Sequence, residues 1–332
     1  MASPTFWAIY LDPLIKGLRD LGIGCRVGGL FIGVIAYADD ILLLAPSRQA
    51  AQVMLRFCEQ FAQENNIRFS TDPNPSKSKS KAIYVVGPCG TTVEKPKPLT
   101  LCGASLPWVE RAEHLGHSLS SDGTLRKDCN EKFAQYVDSM VKVRETFDFV
   151  HPVEVIRATN VYCSSHYSSE LWDYSTDETK KYFNAWKTSM KLIWKVPRNC
   201  KTYLLQTVLA PGQFSARSTI LSRFHGFFFS LLNSPCHEVQ VVARMSARDM
   251  RCTLKRNLQL LEDETGLNLW TAGSQEIKLA LHHQELAPVP DSDNWRITYL
   301  QKLLYSRLHA IFENDQSCEE RLTSLINSLV GD

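Results

Sequence analysis

No run of eighteen consecutive apolar residues occurs in this 332-residue chain, so no transmembrane helix is predicted. The N-terminus lacks a basic region followed by an apolar core and a small-residue cleavage site, which argues against secretion. Ten cysteines are scattered along the chain, yet there is no Cys-x-x-Cys, and Cys163-x-x-His166 has no partner pair at zinc-finger spacing. Common structural zinc motifs are thereby excluded. The thiols read as free, and the expected location is intracellular, in nucleus or cytoplasm. There is no internal repeat, and low complexity is confined to Ser76-Lys77-Ser78-Lys79-Ser80-Lys81. Acidic residues are scarce in two places: only Asp12 and Asp20 precede Tyr37, and only Glu238 and Asp249 lie between Lys180 and Arg256.

What is present is ordinary in bulk. The composition is 44% hydrophobic and 22% charged, as in a globular protein. The length is enough for a sizeable core in about two or three domains. The net charge of +2 hides an asymmetry. Lys180 to Arg256 carries fourteen Lys or Arg against two acids, a net of +12, whereas Asn257 to Asp332 carries five bases against twelve acids, a net of −7. The basic block also holds Tyr182, Phe183, Trp186, Trp194, Tyr203, Phe214, Phe224, Phe227, Phe228 and Phe229. Cations that track phosphates and aromatics that stack on bases make it a candidate nucleic-acid surface. The competing reading is that most of these aromatics are core residues at helical spacing.

The most informative segment is Val34-Ile35-Ala36-Tyr37-Ala38-Asp39-Asp40-Ile41-Leu42-Leu43-Leu44. An isolated Asp-Asp is usually a solvated turn, but this pair interrupts an apolar run. Burying an unpaired carboxylate costs on the order of several kcal/mol or forces protonation, so a buried helix here is disfavoured. The cheaper geometry is a β-hairpin, one strand ending near Tyr37, the next starting at Ile41, with the carboxylates at the tip of a buried hairpin. Paired carboxylates of this kind suit Mg²⁺, which takes one or two of them plus substrate phosphates.

Around it, residues 3–12 read as a helix opened by Ser3 and Pro4 and disturbed or ended at Pro13. Gly22-Ile23-Gly24 and Gly28-Gly29 punctuate a short hairpin. Ser47 to Asn65 reads as an amphipathic helix with Ala50, Met54, Phe57 and Phe61 on one face. Short strands are expected at 82–86, 99–101, 106–109 and 114–119, with a turn at Ser121-Asp122-Gly123. From there the chain reads as helical, beginning with a face of Phe133, Tyr136, Val137, Met140, Val141, Val143 and Phe147. The fold class is α+β followed by nearly all α, divided at 1–125, 126–235 and 236–332.

These segments, in this order, resemble reverse transcriptases of retrotransposons without long terminal repeats, the long interspersed elements. Tyr37-Ala38-Asp39-Asp40 looks like the catalytic hairpin. Ser3-Pro4 with Phe6 to Leu14 looks like the preceding Ser-Pro helix, and Asn74-Pro75-Ser76 through Lys81 like the lysine motif. Leu115-Gly116 through Gly123 resembles the hairpin that holds the primer end. Tyr162 to Trp172 resembles a further helix of the family. The similarity spans most of residues 3–195. It implies a partial polymerase palm at 1–125, a basic helical thumb at 126–235 and a helical C-terminal region at 236–332.

The implied activity is RNA-directed DNA polymerisation by two Mg²⁺ or Mn²⁺ ions roughly 3.5–4 Å apart. The partners are an RNA template, a DNA primer and deoxynucleoside triphosphates, with no membrane. Asp39 and Asp40 are the implied metal ligands, Asp39 the more direct. Tyr37 and Ala38 would contact primer and nucleotide, as Leu115 and Gly116 would the primer. Lys79 would assist departing pyrophosphate, with Lys77 and Lys81 as rivals. The family needs a further aspartate on an upstream strand. Asp12 and Asp20 are wrongly placed for it, and Pro13 stands where the family shows an acid. The strand, the fingers and any endonuclease domain are expected before residue 1, in a missing part of the same polyprotein. This chain is therefore expected to be incomplete and inactive alone. The alternative is a non-catalytic nucleic-acid-binding remnant that uses the basic block 180–256. A weaker option is a helical interaction module.

Overall fold

The computed structural model describes residues 3–72, 74, 77–85, 97–106, 108–147, 150, 152–163, 166–193 and 214–285. Among these it holds nine α-helices and ten short strands, an α+β chain that becomes all-helical after Ser120. Trp194, Tyr203 and the expected helices after residue 285 lie outside the described residues. Among the described residues, no helix is long and apolar enough to cross a membrane. None of the seven described cysteines is in a disulfide. The chain divides into two compact units, 1–128 with 236–245, and 129–235 with 246–332.

The first unit is built on α1 (Ser3–Asp20) and α2 (Arg48–Glu64). Leu11, Leu14 and Leu18 recur at spacings of three and four, so they share one helical face, and they bury against Met54, Cys58 and Phe61 of α2. That burial carries α1 straight through Pro13, contrary to the expected break. Proline removes one helical hydrogen bond, but stopping there would expose Leu14 and Leu18, both fully buried. Gly17 permits the close approach, because a Cβ there would run into the Phe57 ring. The Tyr10 hydroxyl donates to the Asn65 carbonyl, tying α1 to the C-terminus of α2. Helix α2 starts as expected: Ser47 caps it by accepting from the Ala50 amide at 3.1 Å.

Strands β1 (Arg26–Val27) and β2 (Leu30–Phe31) form the glycine hairpin, turning at Gly28 and Gly29, which both have positive φ. Strands β3 (Val34–Tyr37) and β4 (Asp40–Leu43) pair antiparallel, Val34 opposite Leu43 and Tyr37 opposite Asp40. Strand β5 (Ala82–Ile83) pairs in parallel with β8 (Trp108–Val109), and β6 (Leu99–Leu101) pairs with β7 (Ala104–Leu106). Of the strand expected at 82–86, Tyr84 and Val85 lie outside β5, and of that expected at 106–109, Leu106 ends β7 and Trp108–Val109 form β8. Buried Gln52 of α2 holds β6 by exchanging two 2.9 Å hydrogen bonds with the Thr100 backbone. The expected single strand 114–119 is instead a hairpin, β9 (Arg111–His114) and β10 (His117–Ser120), turning at Leu115 and Gly116. Gly116 takes φ +75°, which a continuous strand would not allow, and the chain reverses there. Helix α7 (His237–Ser246) also belongs mainly to this unit, with Met245 lying over Gly28.

The second unit comprises α3 (Arg126–Thr146), α4 (Pro152–Tyr162), α5 (Asp177–Ile193), α6 (Ala216–Leu232), α8 (Thr253–Thr265) and α9 (Ser274–Glu285). Tyr136, Met140 and Val143 of α3 are buried as expected, whereas Val137 and Val141 point outward. The stretch from Tyr162 to Trp172 is not the expected helix. Helix α4 stops at Tyr162, His166 and Ser168 take φ of +42° and +72°, and only a 3₁₀ turn forms at Ser169–Leu171. The Ser169 hydroxyl donates to the His166 carbonyl at 2.6 Å, a local bond that competes with helix propagation.

That irregular segment is clamped from α8. Buried Asn257 donates to the Trp172 carbonyl at 2.7 Å and accepts from the Tyr174 amide at 3.1 Å, while Arg256 pairs with Asp173 at 2.6 Å. Removing a partner from a buried backbone group costs about 1–3 kcal/mol. Asn257→Ala orphans two such groups, so it is expected to destabilise the protein by about 2–5 kcal/mol in urea unfolding. An effect no larger than that of an exposed helical Asn→Ala change would contradict the clamp.

Candidate functional site

The four residues singled out in the sequence lie together at the end of the β3–β4 hairpin. Tyr37 pairs with Asp40, so Ala38 and Asp39 alone reverse the chain. Side chains alternate along a strand. Val34, Ile41 and Leu43 pack on the α1–α2 core, which places Ile35, Tyr37, Asp40 and Leu42 on the opposite face. The expectation of a buried tip is corrected here. Tyr37 is 67% exposed, and Ala38, Asp39 and Asp40 are exposed as well. The carboxylates therefore need no burial partner, and neither has a hydrogen bond or ion pair among the described residues.

Ala38 has φ +51°, in the left-handed region that an L-residue enters at a cost of roughly 1–2 kcal/mol. Glycine or asparagine is the usual occupant at such a turn. The strain is held by Trp7 of α1, whose indole Nε1–H donates to the Ala38 carbonyl at 3.0 Å. Sequence reasoning missed Trp7, because nothing local marks an indole thirty-one residues upstream as the anchor of a turn. Leu115 repeats the pattern. At φ +50° beside Gly116 at +75°, it is a second hairpin tip with a bulky residue where a small one is expected.

Two adjacent, exposed, uncommitted carboxylates supply the hard oxygen donors that Mg²⁺ or Mn²⁺ prefers. They fit as part of a cation site. No group of three or more His, Cys, Asp or Glu that could hold a metal occurs among the described residues. The remaining donors of a two-ion site would come from outside them.

Lys77, Lys79 and Lys81 all point to solvent, with Ser78 between the first two buried. The segment is shaped by its own bonds: the Lys77 and Ser78 amides both donate to the Asn74 carbonyl, and the Ser80 amide donates to that of Ser70. None of the three lysines is ion-paired with Asp39 or Asp40 among the described residues. Lys79 and the Leu115-Gly116 turn thus sit on elements separate from the hairpin.

The basic block resolves into two populations. Phe214, Phe227 and Phe229 are half-buried, whereas five of its aromatics are core: Tyr182, Phe183, Trp186, Phe224 and Phe228 are buried, with Trp172 against Tyr182 at 5.1 Å and Tyr174 against Phe224 at 5.5 Å. Those five are not available to stack on bases. Arg217, Arg223 and Arg256 are taken up by Glu264, Glu170 and Asp173. Lys181, Lys187, Arg244 and Arg248 make no hydrogen bond or ion pair among the described residues. A cleft of about 100 Å³ in the second unit is walled by Tyr136, His166, Trp172 and Tyr182. Burial, aided by the Arg223 charge, pushes the His166 pKa down to about 4, so the ring is neutral at pH 7.

No protein-family model matches the chain, and no curated protein sequence matches it. The strained turn makes its own prediction. Ala38→Gly relieves the left-handed cost but adds backbone entropy to the unfolded chain, for a net stabilisation of about 0.5–1 kcal/mol by thermal unfolding. A destabilisation of that size would show that Ala38 is not strained.

Proposed function

We propose that this chain is part of an RNA-directed DNA polymerase of the retrotransposon type, with Asp39 and Asp40 at its catalytic centre. The observation that carries the reading is the hairpin tip. Two exposed carboxylates, without partners among the described residues, sit at a two-residue turn held by Trp7 in a conformation alanine avoids. Strained residues concentrate at functional sites, where surrounding structure holds them. Register supports the same reading, since it sets Asp40 beside exposed Tyr37, where a primer end or nucleotide could rest against the ring.

A divalent ion bound here would supply charge stabilisation for phosphoryl transfer from a deoxynucleoside triphosphate to a primer 3′-hydroxyl. The residues in hand present oxygen donors and an aromatic surface. The assignment of Lys79 to pyrophosphate departure, and of the Leu115-Gly116 turn to the primer, belongs to the same proposal. The third carboxylate is assigned to a further polypeptide segment. A non-catalytic nucleic-acid-binding role is the second reading, favoured by the uncommitted cations Lys181, Lys187, Arg244 and Arg248.

Primer extension on an RNA template with Mg²⁺ or Mn²⁺ separates the two. With the upstream part of the same reading frame supplied, the chain is expected to extend the primer, and Asp39→Ala to lower the rate by about 100-fold or more. Equal extension by the Asp39→Ala variant would remove the pair from catalysis. Nucleic-acid binding without extension in either form would support the second reading.

A further inference from the structure

A shallow groove of about 480 Å³ opens in the second unit between the 3₁₀ turn Ser169–Leu171, one face of α6 and the first turn of α9. Hydrogen-bond donors border it, among them the Arg223 guanidinium, the Lys278 ammonium and the Gln275 amide, alongside serine hydroxyls. Among the described residues the acid that lines it, Glu170, is paired with Arg223 at 2.8 Å. Lys278 has no carboxylate among the described residues. Its ammonium lies 4.1 Å from the Phe214 ring centroid, and partial burial lowers its pKa. A partly desolvated cation without a counter-ion is costly, and an anion in the groove offsets that cost. Gln275 is exposed and makes no hydrogen bond among the described residues.

The walls are fixed rather than adaptable. His225 Nε2 lies 3.0 Å from the Leu269 carbonyl, which can only accept, so that nitrogen carries the proton. Nδ1, on the other side of the ring, lies 3.1 Å from the Ser274 hydroxyl. This bond seats the first residue of α9 against α6. Gly226 keeps the floor low there, since a Cβ would approach Ser274 Oγ to 3.4 Å.

Charge selects the ligand. Arg223, Glu170 and Lys278 sum to one positive charge, which matches the single negative charge of a phosphodiester better than a phosphate dianion. The groove is shallow and open to solvent, so its cations are reachable from outside. We propose that the groove between α6 and α9 holds one phosphodiester of a single-stranded nucleic acid, gripped by Lys278 and Gln275 beside the Arg223–Glu170 pair. Lys278 lies in the acidic stretch after Arg256, outside the basic block that charge alone singles out. The site is independent of the Asp39–Asp40 reading, and it would bind a strand in a chain without polymerase activity.

The test is fluorescence anisotropy of a labelled oligo-dT strand over a salt series, with the full chain and its Lys278→Gln and Lys278→Arg variants. Lys278→Gln is expected to weaken binding roughly fivefold and to lower the slope of log affinity against log salt by about 0.7, the value for one phosphate contact on a single strand. Lys278→Arg keeps the charge and is expected to keep affinity and slope. Unchanged affinity and slope in Lys278→Gln would overturn the proposal, as would an equal loss in Lys278→Arg. A Lys278→Gln variant that loses affinity for inorganic phosphate alone, with strand binding intact, would make this a free-anion site and overturn it too.

Discussion

The register of one hairpin governs the first unit. Val34, Ile41 and Leu43 are committed to the α1–α2 core, and pairing Tyr37 with Asp40 leaves two residues to turn the chain. Because side chains alternate, a slip of one residue would carry Asp40 onto the core face and lift Ile41 and Leu43 out of it. Hydrophobic burial and carboxylate solvation therefore enforce the same register. The consequence is a turn so tight that Ala38 must adopt a left-handed conformation, and Trp7 holds it there. The exposed Asp39 and Asp40 are the product of that constraint, not an accident of a loose loop.

The second unit follows a different logic. Its basic stretch first serves the fold. Arg256 and Asn257 clamp the irregular segment after α4, and Arg217 and Arg223 tie helices to acids elsewhere in the unit. Tyr182, Phe183, Trp186, Phe224 and Phe228, which accompany them in sequence, form part of the interior. Net charge along a sequence therefore overstates the charge offered to a ligand. Among the described residues, what remains for binding in that stretch is a smaller set of uncommitted cations, while Lys278, beyond it in sequence, is set into a shaped groove.

Local signals in the sequence were reliable where a single element decides its own geometry. The Ser47 cap, the amphipathic face of α2, the glycine hairpin at 26–31 and the carboxylate turn were all legible from spacing and residue type. Tertiary burial overrode local rules at Pro13, where the Leu14 and Leu18 contacts outweigh the missing hydrogen bond. Reading 114–119 as one strand failed because Leu115 gives no sign that it will take positive φ. The break after Tyr162 was hidden for a similar reason, since serine bonds to the local backbone compete with a helix that periodicity favours. At the site, sequence marked the Asp pair. It could not mark Trp7, nor reveal that the tip is solvated, because both depend on how α1 lies against the hairpin.

The central claim is that Asp39 and Asp40 present a divalent-cation site at the hairpin tip. Paramagnetic broadening of backbone amide signals by substoichiometric Mn²⁺ tests it without requiring catalysis. The account predicts that Ala38, Asp39, Asp40 and Ile41 broaden first, and that Asp39→Asn with Asp40→Asn abolishes the effect there. Broadening that begins elsewhere and spares the tip in the unaltered chain would contradict it.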